Sequence, residues 1–249
     1  MARRIKLTLA YDGAAFHGWQ IQPQLPTIQG EIERVLAHIE GRPVAVAGSG
    51  RTDAGAHALA QVASFDLHNP IPAANLRRAI NRLLPPSIRV AAAEEVPADF
   101  HARFSAKAKR YEYRLWRGEI CPPTQYPYVY HYPFPIDLAA MAGAAELFEG
   151  TGQFLSLGAA DDGKRGTEPP GPRTIFSSRL EQEGELVRYR VRGSGFLRHM
   201  VRNIVGTLLE VGKGNLSPAD IPRILASGDR RQAGPAVPAR GLFLVDVEY

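Results

Sequence analysis

The sequence predicts an α+β protein built from two split β-α-β halves. Three observations carry that prediction. The run Ile5-Lys6-Leu7-Thr8-Leu9 alternates apolar and polar residues, as a half-buried strand does. Apolar stripes at helical spacing, such as Ile28, Ile32, Val35, Leu36 and Ile39, interleave with such runs. Residues 173–181 and 186–191 read as two strands joined through Gly184, which is an antiparallel connection. The interleaving is equally compatible with a doubly wound α/β sheet, and periodicity by itself does not separate the two.

Taken in order, residues 5–11 form the first strand. Thr27 is placed to cap a helix whose stripe ends at Ile39, stopped by Gly41 with Pro43 beyond. A short strand over 44–47 leads into a small-residue loop, and 61–67 reads as the strand leaving it. A second helix over 73–84 buries Leu76, Ile80 and Leu83 and ends before Pro85-Pro86. A strand over 88–93 follows. The second half opens with a strand over 110–117, on which Tyr111, Tyr113 and Leu115 share a face. A helix over 137–148 turns Leu138, Met141, Ala145 and Phe148 inward. After the pair around Gly184 comes a helix carrying Met200, Ile204 and Leu208 to the core, with Gly212 as its stop. Ser217 and Pro218 have the chemistry of another helix start, and 242–249 is the last strand. The stretch 159–172, rich in Gly, Pro and charge, has no apolar period and reads as a long mobile loop.

Composition bounds the function. With 249 residues and 45% hydrophobic content the chain can bury a sizeable core. No apolar run approaches a bilayer span, and Met1-Ala2-Arg3-Arg4 leads into a strand rather than an export signal, which favours the cytoplasm. Cys121 is the single cysteine, so no internal disulfide is expected, and the histidines show no metal-ligand spacing. A net charge of +5 points to an acidic partner. Arginines interleave with aromatics at Arg103, Phe104, Arg110 and Tyr111, and again at Arg188, Tyr189, Arg190 and Arg192. Cations for phosphates beside rings for bases are the usual RNA-binding combination.

The residues 48–58, Gly-Ser-Gly-Arg-Thr-Asp-Ala-Gly-Ala-His-Ala, set a carboxylate and a guanidinium two positions apart among small neighbours. Such a loop turns sharply and lets a bulky ligand approach closely. Asp53 is either a turn cap or a catalytic acid, and local chemistry leaves both open.

Gly50-Arg51-Thr52-Asp53-Ala54-Gly55 followed by His57-Ala58 resembles the signature of the tRNA pseudouridine synthase A family, with Ala56 where that family usually has valine. Tyr11-Asp12-Gly13, Gly18-Trp19-Gln20 and Thr27-Ile28-Gln29 resemble the family's opening segment. The runs 104–113, 195–204 and 241–244 resemble its later motifs, in order and over nearly the whole chain. The resemblance implies two ferredoxin-like subdomains, 1–105 and 106–249, sharing a continuous mixed, mainly antiparallel sheet with a central cleft. It implies conversion of uridine to pseudouridine at positions 38 to 40 of the tRNA anticodon stem-loop, by a cytoplasmic homodimer, with neither cofactor nor metal.

The resemblance also distributes roles. Asp53 is the catalytic carboxylate, Tyr111 stacks on the target base, and Arg202 is the cation that keeps the acid ionised. Arg198, one helical turn earlier, competes with Arg202, and Tyr113 competes with Tyr111. Arg51 replaces the flipped base and holds phosphate. His57 either contacts the RNA backbone or caps the loop, and Leu197 packs against the base, against Tyr111 or into the core. Trp19 and Phe16 read as packing residues. Two rivals remain. A non-catalytic RNA-binding or chaperone module could use the same scaffold. A phosphoryl-transfer enzyme could use 48–50, although that loop lacks the ending of a P-loop.

Overall fold

The computed structural model describes residues 2–159 and 171–249. Most of the 159–172 stretch therefore lies outside the described residues. The described elements run β1 (Arg3–Tyr11), α1 (Ile28–Glu40), β2 (Ala47–Gly48), β3 (His57–Leu67), α2 (Ala73–Leu83), β4 (Ile88–Val96) and β5 (Ala108–Trp116). They continue with β6 (Tyr130–His131), α3 (Leu138–Glu146), β7 (Gly150–Gly152), β8 (Arg173–Glu183), β9 (Leu186–Gly193), α4 (Met200–Gly212), α5 (Asp220–Ser227) and β10 (Leu242–Glu248). The class is α+β with mainly antiparallel pairing, and the chain divides into two compact units.

The first unit comprises Met1–Lys107 with Phe243–Tyr249. β1 is its centre, antiparallel to both β3 and β4, and β10 runs parallel to the start of β3. Ile5, Leu7, Leu9 and Tyr11 are buried in alternation, as the period-two pattern predicts. Thr27 caps α1 by accepting from the Gly30 N–H at 3.3 Å, and Gly41 ends it at φ 76°, where a Cβ would be disfavoured. Leu83 is exposed rather than buried, because the chain leaves helical geometry there and turns Leu84 inward instead. β3 breaks the alternation: residues 61–65 are all buried. The segment carrying Ala102 covers its second face, and the Ala102 N–H donates to Ser64 Oγ at 3.0 Å.

The second unit spans Ala108–Leu242. Its strands lie in the order β5-β9-β8-β7, all antiparallel, with β6 parallel alongside β5. Tyr111, Tyr113 and Leu115 of β5 join Val187, Tyr189 and Val191 of β9 in the core. α3 packs against α4 and β8. Gly212 does not stop α4. It is the last helical residue, kept small because a Cβ there would lie 2.7 Å from Met141 Sδ, and Gly214 takes the left-handed turn at φ 77°. Ser217 does not cap α5 either: the Asp220 carboxylate accepts from the Ser217 N–H at 2.8 Å and from its hydroxyl at 2.9 Å.

Candidate active site

The residues singled out in the sequence fall into two groups, one in each unit. Arg51 and Asp53 belong to the loop between β2 and β3 in the first unit, and His57 is the first residue of β3. Arg51 is exposed, Asp53 half-buried and Thr52 buried between them, so neighbouring side chains point alternately out and in. The backbone is tied down on both sides. The Trp19 N–H donates to the Thr52 carbonyl at 3.1 Å, and the Gly55 N–H donates to the Phe16 carbonyl at 3.2 Å. The Ala56 N–H closes a turn onto the Asp53 carbonyl at 3.1 Å, with Gly55 at φ 78°. Gly13 and Gly18 permit this approach: a Cβ on Gly13 would stand 1.9 Å from the Ala56 carbonyl oxygen, and one on Gly18 2.7 Å from that of Thr52.

Beneath the loop lies a buried polar cluster that sequence reading missed. The Tyr11 hydroxyl meets Thr52 Oγ1 at 2.8 Å. Gln61 donates to the Gly50 carbonyl at 3.1 Å and accepts from Ser49 Oγ at 2.5 Å. Burial pushes the Tyr11 phenol up to about 12, against hydrogen bonds to Thr52 and Gln61 that lower it. His57 is buried at 1% exposure and stacks on Phe243 at 4.7 Å. Its Nδ1 lies 3.2 Å from the Gly13 nitrogen and 3.1 Å from Asp12 Oδ1, so it ties the strand end that follows the loop to the Asp12-Gly13 segment.

In the second unit, Tyr111 packs edge-on to Phe196, ring centres 5.1 Å apart. Tyr113, two residues along the same face, is wholly buried and its hydroxyl donates to the Pro238 carbonyl at 2.7 Å. Burial drives that phenol well above its ordinary value, and the Arg202 charge opposes this without cancelling it. Arg202, in the first turn of α4, donates through Nε to the Val237 carbonyl at 2.7 Å. The segment carrying Val237 is itself held on α4, because the Thr207 hydroxyl accepts from the Gly234 N–H at 2.9 Å. Leu197 is buried just before the helix. Arg198 does not share a helical face with Arg202. α4 begins at Met200, and His199 before it is left-handed at φ 63°, so Arg198 is exposed on the approach to the helix.

His199 and Asn203 lie in the 195–204 run, but neither was singled out there. His199 is a non-glycine residue in left-handed geometry at the mouth of α4. Asn203, buried, donates to the Leu157 carbonyl at 2.7 Å and accepts from Arg230 at 2.8 Å. Among the described residues, no group of three or more His, Cys, Asp or Glu is placed to hold a metal ion.

Comparison with known proteins converges on one family. The family model described as tRNA pseudouridine synthase matches residues 8–105 and 144–249. A tRNA pseudouridine synthase A of Solibacter usitatus is 58% identical over 247 residues, covering 99% of this chain and all of that protein. Its counterpart in Geobacillus kaustophilus is 45% identical over 250 residues, covering 100% and 95% respectively. The one in Caldicellulosiruptor bescii is 42% identical over 247 residues, covering 99% and 100%. With the family model matching both the Asp53 loop and the Arg202 helix, the chain belongs to the tRNA pseudouridine synthase family.

Proposed function

We propose that this protein isomerises uridine to pseudouridine in the anticodon stem-loop of tRNA, at positions 38 to 40. The observation that carries the activity is full-length identity of up to 58% with proteins named tRNA pseudouridine synthase A. The stem-loop positions rest on the motif resemblance. The reaction breaks the bond from C1′ to N1 and forms one from C1′ to C5. C5 loses a proton and N1 gains one, so atoms and electrons balance without an outside reactant.

Asp53 is the carboxylate of this chemistry. Attack on the sugar, addition to the base and proton abstraction all require it ionised, and Arg202 is the cation assigned to keep it so. Tyr111 stacks on the base. The commitment of the Tyr113 hydroxyl to Pro238 supports Tyr111 over its neighbour. The exposure of Arg51 suits it to fill the space of the flipped nucleotide, and that of Arg198 to meet a phosphate. The burial of Leu197 favours a packing role, and that of His57 favours a loop-capping role over RNA contact. A cytoplasmic homodimer built from two ferredoxin-like subdomains per chain completes the proposal. Its support is the resemblance, and sedimentation of the purified protein with and without tRNA tests the dimer.

The test of the activity is pseudouridine formation in unmodified anticodon stem-loops, mapped base by base for wild type and Asp53→Asn. Product in the lower anticodon stem that vanishes in the variant, with tRNA binding retained, is the expected result. Tight binding without product from wild type would favour an RNA-binding module on the same scaffold.

A further inference from the structure

The cluster under the Asp53 loop has more order than packing alone demands. Gln61 uses its whole hydrogen-bonding capacity: Oε1 accepts from Ser49 Oγ at 2.5 Å and from the Val62 N–H at 3.1 Å, while Nε2 donates to the Gly50 carbonyl at 3.1 Å and to the Tyr11 oxygen at 3.4 Å. The Tyr11 hydroxyl, which accepts from Gln61, also meets Thr52 Oγ1 at 2.8 Å, so the bonds link Gln61 through Tyr11 to Thr52. Burial keeps the phenol protonated across the physiological range, so this link persists.

Thr52 stands between Arg51 and Asp53. It is held inward by its hydroxyl, and by its carbonyl through the Trp19 N–H at 3.1 Å, between an exposed Arg51 and a half-buried Asp53. The Gly50 carbonyl is held from the same cluster, so the backbone is tied just before Arg51 and just after Thr52.

We propose that Tyr11, Gln61 and Ser49 are positioning residues of the reaction, which set the aim of Asp53 and Arg51 by fixing the backbone of Gly50 and Thr52 from beneath. This inference rests on the isomerase reading above. None of the three is asked to touch RNA. A misplacement of about 1 Å in a reacting group costs on the order of 100-fold in rate, so a buried hydrogen bond two side chains away from substrate is enough to matter.

The experiment measures single-turnover isomerisation, tRNA affinity and amide hydrogen exchange of residues 50–56 in wild type, Tyr11→Phe, Gln61→Met, Thr52→Val and Thr52→Ser. We expect Tyr11→Phe, Gln61→Met and Thr52→Val to slow turnover about 10- to 100-fold, with affinity unchanged and faster exchange confined to the loop. Thr52→Ser, which keeps the hydroxyl, should restore the rate. Tyr11→Phe combined with Thr52→Val should cost no more than Tyr11→Phe alone, because that single variant already lacks the Tyr11–Thr52 bond. Should Tyr11→Phe unfold the protein, the contrast between Thr52→Val and Thr52→Ser decides the matter. Folded variants with wild-type turnover and loop exchange would overturn the inference and leave the isomerase reading intact. Absence of product from wild type itself would overturn that reading, and the inference with it.

Discussion

Glu112 alternates with Tyr111 and Tyr113 on β5, so its side chain emerges on the face of the sheet opposite theirs. There its carboxylate meets Arg114 Nε at 2.7 Å and Arg190 Nε at 2.9 Å, with Arg188 at 3.9 Å. Burial opposes its ionisation, but the hydrogen bonds from Arg114 and Arg190 and their charges win, and the pKa lies below its ordinary value. A lowered folded pKa means the stabilisation is complete above the unfolded value of about 4.3 and is lost as pH falls through the folded one. Glu112→Gln should therefore destabilise by about 1–3 kcal/mol at neutral pH, and the gap to wild type should close in strong acid. Urea unfolding at neutral and at low pH checks both halves. The alternation that separates Glu112 from Tyr111 was legible in the sequence, because it is local. The convergence of arginines from β5 and β9 was not, because it depends on strand register.

Helix α4 shows the same division among elements. Its apolar stripe of Met200, Ile204 and Leu208 was readable from spacing, but its ends were not. The left-handed turn at His199 places Arg198 outside the helix, and contact with Met141 makes Gly212 a packing residue. Two glycines test the point with opposite signs. Propensity alone says that Gly→Ala inside a helix gains up to about 1 kcal/mol. Gly143 in α3 has open space around it, and Gly143→Ala should realise that gain. At Gly206 an added Cβ would lie 1.7 Å from the Pro235 carbonyl oxygen, so the helix and the 234–237 segment must separate. Gly206→Ala should cost about 1–3 kcal/mol by overpacking. It should also disturb Arg202, whose guanidinium bonds to Val237 in that segment. Thermal unfolding of the two variants, compared with wild type, reads both signs.

At the scale of the whole molecule, the net charge of +5 and a pI near 9.5 make association with a polyanion strongly salt-dependent. Each phosphate neutralised contributes a slope of about −0.7 to −0.9 to the logarithm of affinity against that of salt. tRNA affinity should therefore fall steeply between low and physiological salt. If Arg51 fills the space of a flipped base rather than anchoring a phosphate, Arg51→Ala should leave that slope unchanged while slowing turnover. A slope reduced by about one unit would instead make it a phosphate anchor. The short β6 and β7 were not open to view in the sequence, and β2 lies at Ala47–Gly48 rather than over 44–47. The basic, aromatic-interleaved composition was, as were the long strands, the helices and the loop bearing Arg51 and Asp53. Each depends on residues within a few positions of one another, through periodicity, capping and turn chemistry. What the tertiary structure alone decided is how that loop is held. Tyr11 reaches Thr52 across 41 positions, Gln61 reaches Tyr11 across 50, and His57 settles on Phe243 from the far end of the chain. Hydrogen bonds and ring contacts at such separations leave no period in the sequence, because only the pairing of β1, β3 and β10 brings their partners within reach.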